Sequence, residues 1–392
     1  MKEVVAVSGV RTAIGTFGGS LKDYAAPDLM GLVIKEALRR ANIAPESVGE
    51  VIIGQCMQRL DEVVTGRLAA LAAGLPISVP GVTIHRNCAS AMQSLIYGAQ
   101  QIMLGDQEIV VAGGVEVMSR TPFLLHQARW GARFGHGMMS DGLVEGLTDR
   151  SCGLIMGITA ENLAEKYNIS REEQDEIACR SHNNAEAATV AGRFKDEILP
   201  VVLPQKKGDP VIFDKDEHFR PGMTVSQLSK LKPNFKKDGT VTAGNSSGIN
   251  DGASAMVLMS ADKARDLGLA PIAELRGYGL AGVEPELMGY GPVPSTKQAL
   301  ERTGLKLADI ELIELNEAFA AQYLACEKLM GFKRDICNVN GSGIALGHPV
   351  GCTGARIIIS LINEMRRRGN SLGLATLCAG GGMGMSTIWE MV

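Results

Sequence analysis

Four short stretches of the sequence combine a reactive or polar side chain with small neighbours. They are NCASAMQ at 87–93, NEAFA at 316–320, GSGIALGHPVGCTGAR at 341–356 and CAGGGMG at 378–384. Thiols, an imidazole and a carboxamide held among small residues can act as nucleophile, base and oxyanion donor. These stretches are therefore the first candidates for a chemical site.

Cys88 stands at the head of residues 87–105, a run without Asp, Glu, Lys or Arg. One interpretation is a free cysteine buried in a core helix, which is the usual fate of this residue type. The other is a nucleophile at a helix start, where backbone N–H groups and the helix dipole lower the pKa of a thiol. Both interpretations stay open for Cys88 taken alone.

Three further side chains have the same two interpretations. His348 lies between Gly347 and Pro349, just before a predicted helix, and is either a loop or core histidine or a base for a thiol. Cys378 precedes three glycines. It either ends a buried strand or lies beside bare N–H groups that bind an oxyanion. Asn316 follows an apolar strand; it either forms an Asx-type turn or caps the next helix, or it belongs to a site.

An internal duplication in the sequence predicts where these stretches lie in the fold. Residues 37–55 align without a gap with residues 299–317, and residues 112–114 (Ala-Gly-Gly) align with residues 379–381. In each copy the first aligned segment predicts the end of a helix, a turn and a strand. Further along the chain, each copy has a long predicted helix followed by the strand that ends in Ala-Gly-Gly. The long helices are predicted at 89–104 and about 354–368, each ended by a glycine, Gly105 or Gly369.

Strands that alternate with helices predict an α/β protein with mixed sheets. We expect a duplicated αβαβα layered fold: two similar mixed-sheet domains plus a long loop insertion. The predicted N-terminal domain comprises 1–118 and 251–271, the insertion 119–250 and the C-terminal domain 272–392. The insertion shows one clear helix at 171–191 and is a natural substrate-binding element. A shielded inner helix in each copy explains the uncharged run.

Composition excludes several classes of function. The 392 residues carry a net charge of −4, so the chain lacks the basic footprint of a nucleic-acid-binding protein. No segment is apolar enough to span a membrane. Eight scattered cysteines without metal-site spacing indicate reduced thiols in a cytoplasmic compartment and no metal. Phosphate-binding and dinucleotide-binding glycine motifs are absent.

The four motifs, in this order, resemble the thiolase family, and the resemblance runs from VRTAIGTFGG at 10–19 to CAGGGMG at 378–384. It implies a reversible Claisen condensation in which acetyl-CoA and an acyl-CoA give a 3-oxoacyl-CoA and CoA, with acetoacetyl-CoA the favoured product. By resemblance Cys88 is acylated, His348 activates it and Cys378 exchanges the α-proton of the second acetyl-CoA. Asn316, through a water, forms one oxyanion site with His348, and the N–H groups of Cys88 and Gly380 form the other.

The resemblance also implies how CoA binds, as a substrate and product with no permanently bound cofactor. The implied binding residues are Ser247, Ala243, Arg220, Leu147, Met156, Met288, Ala318 and Phe319. For the methionines and Phe319 the other interpretation is ordinary core packing. Expected partners are acyl-CoA and a second copy of the chain, as a homodimer or homotetramer, with no nucleic acid and no membrane. The expected setting is fatty-acid metabolism, such as β-oxidation, in the cytoplasm.

One departure from the family pattern leaves the substrate open. Relatives specific for acetoacetyl-CoA often have Tyr-His-Met-Gly where this chain has LIMG at 154–157. Without the histidine, a degradative 3-ketoacyl-CoA thiolase with a broader chain-length range is an alternative. A CoA-binding, non-catalytic partner subunit is another. A carrier-protein-dependent condensing enzyme is disfavoured by Cys378.

Overall fold

The computed structural model describes residues 2–131, 133–205 and 207–392. The strands are β1 (Val4–Thr12), β2 (Gly15–Thr16), β3 (Glu50–Gly54), β4 (Gly81–Ile84), β5 (Ile109–Val117), β6 (Phe123–Leu125), β7 (Met139–Asp141), β8 (Ile198–Leu199), β9 (Val201–Leu203), β10 (Val211–Phe213), β11 (Asn250–Ser260), β12 (Ala273–Gly282), β13 (Leu312–Leu315), β14 (Leu372–Ala379) and β15 (Met383–Glu390). The helices are α1 (Ala26–Ala41), α2 (Thr65–Ala72), α3 (Ser90–Leu104), α4 (Gly142–Gly146), α5 (Met156–Lys166), α6 (Arg171–Val190), α7 (Val225–Leu228), α8 (Ala261–Asp266), α9 (Pro292–Thr303), α10 (Ala320–Met330), α11 (Gly343–Leu346) and α12 (Thr353–Arg368).

The duplication is visible in the strand order of the main sheet. That order is β13-β14-β15-β12-β1-β11-β5-β3-β4, with β2 and β8 attached at its side. The series β12-β15-β14-β13 repeats the series β1-β11-β5-β3. In both copies the last pair is parallel and the other two are antiparallel. The predicted α/β class with mixed, duplicated sheets is confirmed.

The sequence did not predict how the two copies meet. Val5 pairs with Glu274 and Ala6 with Ala273, so that β1 and β12 join the copies edge to edge in one continuous sheet. Each of these strands would otherwise be an edge strand with unpaired backbone groups, and the short antiparallel pairing covers part of both edges.

Helices α3 and α12 occupy equivalent places and pack against each other and the sheet. A single apolar core includes Leu95 and Ile96 of α3 with Ile358 and Leu361 of α12. This burial accounts for the uncharged run before Gly105. Gly105 and Gly369 end the two helices in the left-handed conformation, with φ of 86° and 69°, as predicted.

Two glycines let the start of α3 and the segment before α12 approach the sheet. A Cβ on Gly54 would overlap the backbone of Ser90, and one on Gly114 would overlap the carbonyl oxygen of Gly351. The Gly113-Gly114 pair therefore serves close packing. As a result, the first turn of α3 and the segment around Gly351 lie together at the ends of β3 and β5.

The 119–250 segment is more ordered than a loop insertion. Helix α6 is confirmed within one residue of its predicted end, and α5 is a second helix that the sequence did not predict. A buried ionic cluster ties the segment to β1, because Arg11 contacts Glu197 through Nε and Asp216 through Nη1, both at 2.7 Å. Within the described ranges, no helix has the length and apolarity needed to cross a membrane.

Candidate active site

A cleft of about 760 Å³ opens where α3 begins. Four of the predicted site residues line it: Cys88, Gly380, Leu147 and Met156. Its other lining residues are Cys56, Met57, His85, Asn87, Gly146, Thr148, Asp149, Arg150, Val350 and Gly381.

The backbone before Cys88 is held in an uncommon conformation. Asn87 has a φ of 46°. Its carbonyl oxygen accepts the hydroxyl of Ser90 at 2.7 Å and the thiol of Cys56 at 3.0 Å. Its side-chain Nδ2 donates to the carbonyl oxygen of Gly380 at 2.7 Å. These bonds fix the backbone before Cys88 and with it the orientation of the Cys88 side chain.

Cys88 is a half-buried residue of the cleft, and its thiol receives the N–H groups of Gly380 and of Cys88 itself. Burial outweighs these donors and raises the pKa of the thiol to about 11. The expectation that the helix start lowers this pKa is therefore wrong in its net sign, because the low-dielectric surroundings disfavour the thiolate more than the N–H groups stabilise it. Cys88 needs a base.

His348 supplies a neutral imidazole. Its Nδ1 lies 2.6 Å from Oγ1 of Thr353, and that hydroxyl donates to the carbonyl oxygen of Pro349 at 3.0 Å. Since the hydroxyl proton is engaged, Nδ1 carries the ring proton and Nε2 is free to accept one. Burial, followed by the charge of Arg356, lowers the pKa of His348 to about 3. The backbone N–H of His348 donates to Oδ1 of Asn250 at 2.9 Å.

Asn316 faces the free nitrogen of this imidazole. Its Nδ2 lies 3.4 Å from Nε2 of His348, and its N–H donates to the carbonyl oxygen of Thr376 at 3.0 Å. Its buried Oδ1 has no hydrogen-bond partner among the residues that the structure describes. Helix α10 begins at Ala320 after Phe319, without a side-chain cap, so the capping interpretation of Asn316 is wrong.

Cys378 is the penultimate residue of β14 and is fully buried. Burial, and then the Cys88 and Cys326 thiols, raise the pKa of Cys378 well above its ordinary range. The glycines that follow form a tight turn, with φ of 88° at Gly381 and 71° at Gly382. Left-handed angles of this kind favour glycine, and the turn carries the Gly380 N–H that points at Cys88.

Of the predicted CoA-binding residues, Arg220 and Ala243 line a second cleft of about 990 Å³, together with His182 and His218. Burial is the main cause that lowers the pKa of each of these histidines to about 4.

The remaining predicted CoA-binding residues are packed. Ser247 donates its N–H to the carbonyl oxygen of Ala318 at 2.9 Å. The Phe319 ring meets Phe235 edge-on at 6.3 Å between centroids. Met288, Ala318 and Phe319 belong to the same buried core as Cys378. Their burial agrees with the core-packing interpretation, and neither described cleft is lined by them.

Sequence reasoning missed several polar residues that hold the site. Thr353 and Asn250 orient His348, and the buried carboxylate of Glu116 accepts the N–H groups of Cys56 and its neighbour Met57. Thr353 follows His348 by five residues, at the first position of α12. Glu116 is an acid in an otherwise apolar strand. These two sequence features could have identified Thr353 and Glu116 as residues that hold the site. Across the described part of the chain, no cluster of three or more His, Cys, Asp or Glu side chains could hold a metal ion.

The chain is similar to known proteins over nearly its whole length. The family descriptions "Thiolase, N-terminal domain" and "Thiolase, C-terminal domain" match residues 4–262 and 269–391. An acetyl-CoA acetyltransferase and the beta-ketothiolase BktB, both of Cupriavidus necator, are 52% and 50% identical to this chain, with full coverage of both chains in each case. The crystal structure of the Bacillus anthracis acetyl-CoA acetyltransferase is 51% identical and has a TM-score of 0.98, covering 100% of this chain and 99% of that one. Human mitochondrial 3-ketoacyl-CoA thiolase in complex with CoA is 42% identical with a TM-score of 0.96, covering 100% of this chain and 98% of that one. The chain belongs to the thiolase family.

Proposed function

We propose that the chain catalyses the reversible transfer of an acyl group between CoA thioesters, in which acetyl-CoA and an acyl-CoA give a 3-oxoacyl-CoA and CoA. Acetyl-CoA is the favoured acyl donor, and acetoacetyl-CoA is then the product. The observation that carries the proposal is the meeting, in one cleft, of the Cys88 thiol with the Gly380 N–H. A thiol beside backbone donors suits attack on a thioester carbonyl, whose oxygen becomes negative.

In the first half-reaction the sulfur of Cys88 attacks the thioester carbon. Nε2 of His348 takes the thiol proton and returns it to the sulfur of departing CoA, which leaves an acyl-Cys88 thioester. The N–H groups of Cys88 and Gly380 stabilise the developing oxyanion. Because His348 is neutral at rest, it can accept this proton throughout the physiological pH range.

In the second half-reaction the α-carbon of acetyl-CoA attacks acyl-Cys88. Nε2 of His348 first takes the thiol proton of Cys378, and the resulting thiolate removes the α-proton of acetyl-CoA. Nδ2 of Asn316, through a water, and the protonated His348 stabilise the enolate oxygen. The new carbon–carbon bond forms as the bond to the Cys88 sulfur breaks, and His348 returns its proton to that sulfur to regenerate the Cys88 thiol. Thiolysis runs through the same steps in reverse.

For CoA itself we propose that Arg220 and Ala243, in the second cleft, contact the nucleotide and pantetheine portions. Leu147 and Met156 border the acyl portion beside Cys88. Ser247, Met288, Ala318 and Phe319, which pack outside both clefts, are assigned to CoA contact by the family resemblance alone. A guanidinium is well suited to a phosphate group. Free CoA is substrate and product in this scheme, and no resident cofactor takes part.

Acylation of Cys88 tests the proposed function. Incubation with acetyl-CoA should release CoA and add the mass of one acetyl group to tryptic peptide 87–120, whose only cysteine is Cys88. Cys88→Ala should show neither result, whereas Cys179→Ala should keep the adduct. Wild-type protein without an adduct and without CoA release would contradict the proposal and favour the non-catalytic, CoA-binding subunit.

The role of Thr353 is tested by a matched pair of substitutions. Thr353→Val keeps the shape but removes the acceptor for Nδ1 of His348, so the imidazole loses both its tautomer and its orientation. We expect kcat to fall by about 10- to 100-fold with little change in KM, since small misplacements of catalytic groups cost this much. Thr353→Ser should retain most of kcat. Equal kcat values for Val and wild type would exclude this role.

A broader-chain thiolase is the second candidate, and one structural observation favours it. The turn from Thr148 to Ile155, closed by a bridge between these two residues, forms one side of the cleft. Ile155 itself does not line the cleft; Thr148, Asp149 and Arg150 do. The apolar side chains of Leu147 and Met156 do line the cleft with Cys88, and an apolar lining suits a longer acyl chain.

Chain-length profiles distinguish the two candidates. For a broad-chain enzyme, thiolysis rates with 3-oxoacyl-CoA of increasing length should stay within about tenfold of the acetoacetyl-CoA rate, because added methylenes gain pocket contact. Leu147→Trp should then depress long-chain rates selectively, whereas Val144→Trp, on the exposed side of α4, should not. A rate that collapses beyond acetoacetyl-CoA in the wild type would restrict the enzyme to acetyl transfer.

We further propose that the chain forms a homodimer or homotetramer in the cytoplasm, with a role in fatty-acid metabolism such as β-oxidation. Among the described strands β4 pairs with β3 alone, and the exposed Tyr97 and Leu104 lie beside it. The segment around β6 and β7 exposes Phe123 and Trp130. All eight cysteines are free, which suits a reducing compartment.

Sedimentation velocity should give two or four protomers; a monomer at micromolar concentration would contradict the assembly.

A further inference from the structure

Glu116 is a buried carboxylate that joins three segments of the backbone. It lies one residue before the end of β5 and is fully buried. Its Oε2 accepts the N–H of Cys56 and the N–H of Gly351, both at 2.9 Å, and its Oε1 accepts the N–H of Met57 at 3.0 Å. A Cβ on Gly351 would lie only 2.6 Å from Oε2, so glycine is what permits this approach.

Each segment held by Glu116 leads to a reacting group. Cys56 donates its thiol proton to the carbonyl oxygen of Asn87, the residue before Cys88. Gly351 follows His348 by three residues, in the segment that leads into α12. Glu116 therefore connects the nucleophile of the first repeat to the base of the second through two backbone hydrogen bonds and one thiol.

The charge of Glu116 faces thiols. Burial raises the pKa of Glu116 to about 7, against the lowering effect of the three N–H groups. The titratable groups that face it are Cys56 after β3, Cys88 before α3 and Cys352 before α12, and its charge raises the pKa of each. The ionised carboxylate thus opposes formation of the Cys88 thiolate.

We propose that Glu116 is a positioning residue for the thiolase reaction: through the N–H groups of Cys56 and Gly351 its carboxylate sets the Cys88 segment against the His348 segment. Its charge adds a smaller effect to the burial that already disfavours the Cys88 thiolate. The catalytic part of this inference rests on the proposed function. The electrostatic part concerns the Cys88 thiol alone and needs no CoA substrate.

Two substitutions separate the geometry from the charge. Glu116→Gln keeps the length but removes the charge and turns one acceptor into a donor, so at least one N–H bond is lost. Glu116→Asp keeps the charge but is one methylene too short to reach all three N–H groups. Asp251→Asn is the matched control. Asp251 is a buried carboxylate on the neighbouring strand β11, and its side chain accepts from the N–H and hydroxyl of Ser119.

Two measurements are made on each variant. One is kcat and KM for acetoacetyl-CoA thiolysis. The other is the pH dependence of iodoacetamide alkylation at Cys88, followed on peptide 87–120 by mass spectrometry. We expect kcat to fall about 10- to 100-fold in both Glu116 variants with KM little changed, because the reacting groups are misplaced. Only Glu116→Gln should lower the alkylation midpoint, by about a few tenths of a pH unit, because a like charge has been removed while the burial of Cys88 is unchanged.

The outcomes decide each part separately. A midpoint that stays in place in Glu116→Gln would overturn the role of the charge, and unchanged kcat in both variants would overturn the positioning. Equal effects in Asp251→Asn would show that any buried carboxylate of this sheet gives the same result, and would also overturn the proposal. Absence of turnover in the wild type would contradict the proposed function, whereas the alkylation profile would still decide whether Glu116 controls the thiol.

Discussion

The hydrogen bond from Nδ2 of Asn87 to the carbonyl oxygen of Gly380 holds the active site together. It joins the residue before the nucleophile to the glycine turn of the other repeat, 293 residues away. Asn87 makes it from a left-handed conformation, which costs on the order of 1 kcal/mol for a non-glycine residue. The bonds that its own carbonyl oxygen accepts from Ser90 and Cys56 offset this cost. The same glycine, Gly380, directs its N–H to Cys88, so this bond and the donor to the thiol share one residue.

The duplication explains why residues of the two repeats can form hydrogen bonds with each other at the site. The two copies place β3 and β13, β5 and β14, and α3 and α12 in equivalent positions, and the β1–β12 pairing joins them in one sheet. Segments that precede the inner helices, one with Cys88 and one with His348, therefore meet near the junction of the copies. Glycines with no room for a Cβ, Gly54 and Gly114, allow the approach. Neither copy carries a complete set of reacting groups, so the chemistry depends on their association.

Much of the fold could be predicted from the sequence, and particular residues show why. The aligned segments predicted equivalent strands, and Gly105 and Gly369 marked the ends of the inner helices, because these features depend on local pattern and backbone conformation. The four motifs predicted where to look for the site. The pKa of Cys88 was predicted with the wrong sign, because the helix start is local whereas burial comes from distant segments. The contacts of Thr353 and Glu116 likewise depend on tertiary packing, and α5 escaped prediction because its sequence pattern was read as part of a polar loop.

The opposite shifts at Cys88 and His348 lead to one mechanistic consequence. Burial raises the pKa of the thiol to about 11 and lowers that of the imidazole to about 3, so both groups are neutral at physiological pH. A preformed thiolate–imidazolium pair is therefore disfavoured in the resting site. In the proposed mechanism, proton transfer becomes favourable only as negative charge moves from the sulfur to the substrate carbonyl oxygen, where the N–H groups of Cys88 and Gly380 would receive it. A site of this kind stabilises the charge of the transition state more than that of the ground state, which is the condition for accelerating the chemical step.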